Sequence, residues 1–208
     1  MKKVVITTAK RTPVGSFGGS LSSLSASRLG SYAIKSLIDE SKLNVDLVDE
    51  VIFGNVLTAG QGQAPGRQAA LYAGLPNKTE CLTINKMCGS GLKAVMLAHQ
   101  AILLDDAEII IAGGQESMSN APYLLSKARF GYKMGNGEVI DSMIVDGLWD
   151  VYNNIHMGSC AEDCARKFSF SREELDEFAA SSYKKALTAQ KEKKFNDEIV
   201  KVPIQSKN

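Results

Sequence analysis

Net charge, long apolar runs, cysteine and histidine are all scarce in this sequence, and each scarcity excludes something. Lys and Arg number 24 against 23 Asp and Glu, a formal charge of +1, so no strong field exists to gather nucleic acid or an anionic membrane surface. No apolar run approaches a membrane span, and the stretch before Lys10 and Arg11 is too short for a signal-peptide core. The chain is therefore expected to be cytoplasmic, with neither nucleic acid nor membrane as a partner. Four cysteines, Cys81, Cys88, Cys160 and Cys164, form no CxxC pair and are too few for a disulfide framework in 208 residues. Reduced thiols follow. The two histidines, His99 and His156, leave few candidates for a general base. Neither a GxGxxG nor a GxxxxGKS/T phosphate loop is present.

What remains is globular composition, 44% apolar and 23% charged, enough for one large domain or two small ones. Short β-branched runs alternate with helix-like segments over residues 1–116. VVITTA (4–9) reads as a strand and SASRLGSYAIKSLIDES (25–41) as a helix. A strand in VIFGNVL (51–57), a helix in 65–75, a strand at CLTIN (81–85), a helix over 89–104 and a strand at AEIIIAGG (107–114) follow. This alternation predicts an α/β fold with a mixed, mostly parallel sheet and covering helices.

From Ser117 to about Asn154 no clear period is visible, and that length exceeds an ordinary connection. Residues 117–208 are expected to form part of an inserted loop domain with a binding or assembly segment and two helices. The second of these opens at Ser171, which with Glu174 forms a capping-box pattern, and should end near Lys191.

The helix over 89–104 is apolar nearly all round. Leu92, Met96 and Leu103 fall on one side and Ala94, Ala98, Ala101 and Ile102 on the other. Such a helix is buried on more than one face, and one sheet covers only one of them. A second layer, from another chain or a C-terminal half, is therefore expected.

Cys88 lies between a short strand and the amino end of that helix, flanked by Gly89 and Gly91. Helix amino termini stabilise thiolates and offer N–H groups to a developing oxyanion. Two readings stand side by side: a nucleophile, or a small buried hydrophobe. His99 is about 16 Å of helical rise from Cys88 and is expected to be packed or capped. His156 is the remaining candidate base. His156, Cys160 and Cys164 carry metal-ligand chemistry, but on one helix the outer two are about 12 Å apart, so no metal site is expected. Cys81, in an apolar run, reads as core. Gly113 and Gly114 read as glycines required by tight backbone packing beside Cys88.

NKMCGSG around Cys88, GGQESMSNAPY (113–123), DGLWDVYNNIHMGSCAED (146–163) and RTPVGSFGG (11–19) together resemble the thiolases, specifically their biosynthetic branch. The resemblance runs through essentially all 208 residues. It implies a thiolase-like fold of which the second half is missing, and a reversible Claisen condensation of two acetyl-CoA to acetoacetyl-CoA and CoA. In it Cys88 carries the acyl group as a thioester, and a backbone N–H there serves an oxyanion hole. Leu148, His156 and Met157 match substrate-pocket positions lining the pantetheine and acyl end. His156 thereby changes from candidate base to pocket residue. The activating histidine and second acid–base cysteine belong to C-terminal motifs that residues 1–208 do not contain. The resemblance also implies no cofactor, coenzyme A being part of the substrate, and a homo-oligomer, tetrameric in intact members. The implied partners are acetyl-CoA, acetoacetyl-CoA and a complementary C-terminal half. A degradative 3-ketoacyl-CoA thiolase and a non-catalytic CoA-binding remnant are the alternatives.

Overall fold

The structure is a computed structural model that describes residues 2–204. They fall into two compact units, one of residues 2–147 with 200–204 and one of residues 148–199.

The first unit is built on three parallel strands, β1 (Glu50–Gly54), β2 (Glu80–Ile84) and β3 (Ile110–Gly114), in the order β2-β1-β3. Central β1 reads EVIFG without polar alternation because both its faces are covered. Val51 and Phe53 point into a core with Ile34, Ala69, Ala70 and Ile111, while Ile52 packs on the other face against Ala94 and Ala98. In register, Gly54 lies opposite Ile84 on β2 and Gly114 on β3.

Helices α1 (Ala26–Ser41) and α2 (Pro65–Tyr72) cover the Val51 face, and α3 (Ser90–Leu103) covers the Ile52 face. Local chemistry sets their ends. Ser25 caps α1 by accepting from the Arg28 amide, and Lys42 closes it in a left-handed conformation. Pro65 opens α2 at the position where a missing N–H is harmless. Small residues let α1 lie close: a Cβ on Gly30 would come 2.0 Å from Gln115 Oε1 and 3.2 Å from the Phe53 ring.

Two expectations are corrected. Residues 4–9 form no strand: Val5 and Ile6 are 61% and 79% exposed. β-branched residues favour extended backbone, but a strand also needs a neighbour to pair with, and no ladder reaches this segment among the described residues. His99 is exposed rather than packed. It lies with Leu92 and Met96, which are 69% and 50% exposed, on the side of α3 away from the sheet, while Ala94 and Ala98 are buried against it. The all-round apolar wheel thus resolves into a sheet-facing alanine side and an exposed large-residue side.

Residues 117–147 form short pieces rather than a regular element, among them the two-residue strands β4 (Tyr123–Leu124) and β5 (Ile140–Asp141), which pair antiparallel. Ser142 donates to the Pro122 carbonyl at 2.6 Å and closes that ladder.

The second unit opens with a small antiparallel ladder, β6 (Trp149–Asp150) with β7 (Ile155–His156). Its turn is organised by Asp150, which accepts from the amides of Tyr152 and Asn153 and from the Asn153 side chain. Helices α4 (Met157–Lys167) and α5 (Arg172–Lys191) follow. The expected capping box is present: Ser171 Oγ accepts from the Glu174 amide at 3.1 Å and Glu174 accepts from the Ser171 amide at 2.8 Å. No helix among the described residues is long and apolar enough to cross a membrane.

Candidate active site

The carboxyl ends of the three strands converge on the turn that carries Cys88. After β2, Asn85 Oδ1 accepts from the Met87 amide at 2.9 Å, and Ser90 Oγ accepts from the Lys86 amide at 2.8 Å while donating to the Met87 carbonyl at 2.6 Å. These bonds hold Met87 at φ 48°, a left-handed conformation that costs a non-glycine residue about 1 kcal/mol or more. The strain turns the chain so that Cys88 stands exposed immediately before α3. Gly89, the N-cap of α3, provides no side-chain cap, so the helix presents its positive amino end on the side where Cys88 lies.

Glycines seat this turn on the sheet. A Cβ on Gly54 would fall 2.6 Å from the Ser90 carbonyl carbon and Cβ and 2.8 Å from the Gly91 nitrogen, and one on Gly114 would fall 3.3 Å from Gly91 Cα. Tight backbone packing beside Cys88 is therefore why Gly114 is glycine, as the sequence suggested.

Cys88 lines a cavity of about 380 Å³. Met87, Cys88, Ser90 and Gly91 form one wall, Gly54, Asn55 and Val56 a second, and Gly114, Gln115 and Glu116 a third. Sequence reasoning missed Asn55, Ser90 and Glu116. Ser90 could have been suspected from its place two residues after Cys88, but nothing local relates Glu116 to Asn55.

Leu148, His156 and Met157 all belong to the second unit. Trp149 stands opposite His156 in the β6–β7 ladder, so Leu148 and Met157 flank the same end of it. The His156 side chain caps α4, its Nδ1 accepting from the Gly158 amide at 2.9 Å. In the neutral ring the proton is then on Nε2, which is left as a donor. His156 and Met157 are exposed and Leu148 is half-buried.

Cys81 is half-buried against the core, and burial pushes its thiol up, partly offset by a hydrogen bond from Arg67. Cys160 and Cys164 lie on α4. No group of three His, Cys, Asp or Glu side chains that could hold a metal occurs among the described residues.

Residues 4–208 match the family model described as "Thiolase, N-terminal domain". The chain belongs to the thiolase family. It is 55% identical to an acetyl-CoA acetyltransferase of Cupriavidus necator over 204 residues, which are 98% of this chain and 52% of that protein. Over 203 residues it is 51% identical to acetyl-CoA acetyltransferase 2 of Arabidopsis thaliana, covering 98% of this chain and 50% of the relative. A Staphylococcus aureus protein named probable acetyl-CoA acyltransferase is 49% identical over 204 residues, 98% and 52% of the two chains. This thiolase chain thus spans about half the length of the curated relatives it matches.

Proposed function

We propose that this chain is the nucleophile-bearing half of an acetyl-CoA C-acetyltransferase, which condenses two acetyl-CoA into acetoacetyl-CoA and CoA and runs the reverse thiolysis. The observation that carries this is an exposed Cys88, beside the amino end of α3 and lining a cavity at the sheet's carboxyl edge, in a thiolase whose relatives bear that name.

The Cys88 sulfur bonds to the acetyl carbon of acetyl-CoA, the bond to the CoA sulfur breaks, and CoA leaves as its thiolate. The developing oxyanion takes a backbone N–H at Cys88. A base then takes an α-proton from a second acetyl-CoA, and the resulting carbanion attacks the acetyl-cysteine, forming the new carbon–carbon bond as the carbon–sulfur bond to Cys88 breaks and returns the thiolate. The thiolase resemblance supports a role for Leu148, His156 and Met157 in contacting the pantetheine and acyl end of acetyl-CoA. An Nε2–H left free by the Gly158 cap supports a donor role for His156 toward substrate.

The base and second cysteine come from a complementary C-terminal half, and intact molecules assemble as homo-oligomers. Coenzyme A enters as substrate, and no further cofactor takes part. Residues 1–208 alone are expected not to turn over.

Intact-mass spectrometry after brief incubation with acetyl-CoA tests the reading, with Cys88→Ala as control. An acetyl adduct lost in the control supports Cys88 as nucleophile. An adduct that persists in Cys88→Ala, or none even when a thiolase C-terminal half is supplied, overturns it.

A further inference from the structure

We propose that Glu116 is a positioning residue for acyl transfer to Cys88: its carboxylate fixes a wall of the cavity that Cys88 also lines. This rests on the acyl-transfer reading of the site.

The β1–β3 ladder continues past the strands, the Gln115 amide donating to the Gly54 carbonyl at 2.9 Å. That step brings Glu116 alongside the segment leaving β1. Its carboxylate collects three donors from three consecutive residues: Asn55 Nδ2 at 2.7 Å and the Leu57 amide at 3.2 Å on Oε1, and the Val56 amide at 2.8 Å on Oε2. Asn55, 1% exposed, is gripped from both neighbouring strands, its amide donating to the Ile84 carbonyl at 3.0 Å and its Oδ1 accepting from Gln115 Nε2 at 3.4 Å. Asn55, Val56 and Glu116 line the same cavity as Cys88.

Charge-assisted bonds of this kind are about twice as strong as neutral ones, and acyl transfer depends on how closely the carbonyl is held to the nucleophile. With its oxygens committed to these donors, Glu116 acts through the wall, not by moving a proton. No other side chain replaces it fully. Gln sets an NH₂ donor against backbone N–H donors, and Asp keeps the charge but falls one methylene short.

The test compares two reagents at Cys88, each followed by the mass of the Cys88 peptide. p-Nitrophenyl acetate acylates the thiol: the sulfur bonds to the acetyl carbon, the C–O bond breaks, p-nitrophenolate leaves and the thiol proton passes to buffer. Iodoacetamide needs only an accessible thiolate. In Glu116→Gln the ratio of acylation to alkylation rates is expected to fall at least fivefold, and in Glu116→Asp by less. A general loss of structure would move both rates together. An unchanged ratio overturns the proposal, as does a wild-type ratio no higher than that of glutathione. Should Glu116→Gln not fold, Glu116→Asp carries the test, and an unchanged ratio there overturns it equally. A Glu116-dependent ratio together with no transfer from acetyl-CoA, with or without a C-terminal half, would retain this proposal and refute the thiolase activity.

Discussion

The Ser90 hydroxyl donates to the Met87 carbonyl at 2.6 Å, tying together the residues on either side of Cys88 and Gly89. The same oxygen accepts from Lys86, so this buried side chain closes the turn together with Asn85. Ser90→Ala removes both bonds and frees the strained Met87 backbone. The expected cost is about 1–2 kcal/mol in urea denaturation, with slower acylation of Cys88. Stability and acylation rate both equal to wild type would contradict this account of the turn.

Gly54 and Ser90 are in backbone contact, so the side chain at position 54 sets how closely α3 sits on the sheet. Gly54→Ala places a Cβ 2.6 Å from the Ser90 carbonyl carbon, where no flexible side chain can yield. A loss of about 1–3 kcal/mol is expected from overpacking of this kind, read as a lowered Tm together with changed Cys88 alkylation.

Two carboxylates at the other end of the sheet respond to pH in opposite directions. Asp49 is held below the usual carboxylate range by the amides of Ile109 and Glu108. Its stabilisation is present above the unfolded value and is lost as pH falls through the lowered folded one. Asp49→Asn should flatten the acid limb of a urea-midpoint profile.

Glu50 is pushed up, first by burial and then by Glu80 opposite it in the parallel register. A raised acid is penalised when ionised, so the penalty is absent below the unfolded value and complete once pH has risen through the folded one. Glu80→Gln is therefore expected to add about 0.5 kcal/mol at pH 7 and nothing at a pH where both are protonated. A gain of the same size at both pH values would remove charge as the cause.

Cys81 and Cys88 should differ sharply toward iodoacetamide at pH 8. Burial raises the Cys81 thiol and hinders its approach, while Cys88 is exposed. Peptide mass mapping should find Cys88 modified at least about tenfold sooner; equal rates would show that Cys81 is accessible.

Much of this was legible in the chain because the signals are local. The run EVIFG, the Ser25 cap and the Ser171–Glu174 box each act within a few residues, so strands, helices and helix ends follow from short-range chemistry. Around Cys88 the turn itself was legible from Gly89 and Gly91, but the Asn85 and Ser90 bonds that hold it, and the space that Gly54 and Gly114 leave beside it, appear only in the fold.

What the sequence by itself determined is the order of strands and helices and the placing of a cysteine at a helix start. Only the tertiary structure decided that residues 4–9 lack a partner strand, that His99 faces outward, and that Glu116 meets residues some 60 positions earlier in the chain. Propensity and periodicity describe what a segment can do alone. Pairing, exposure and the Glu116 carboxylate's three donors depend on which distant segment the sheet brings alongside, and no local pattern encodes that.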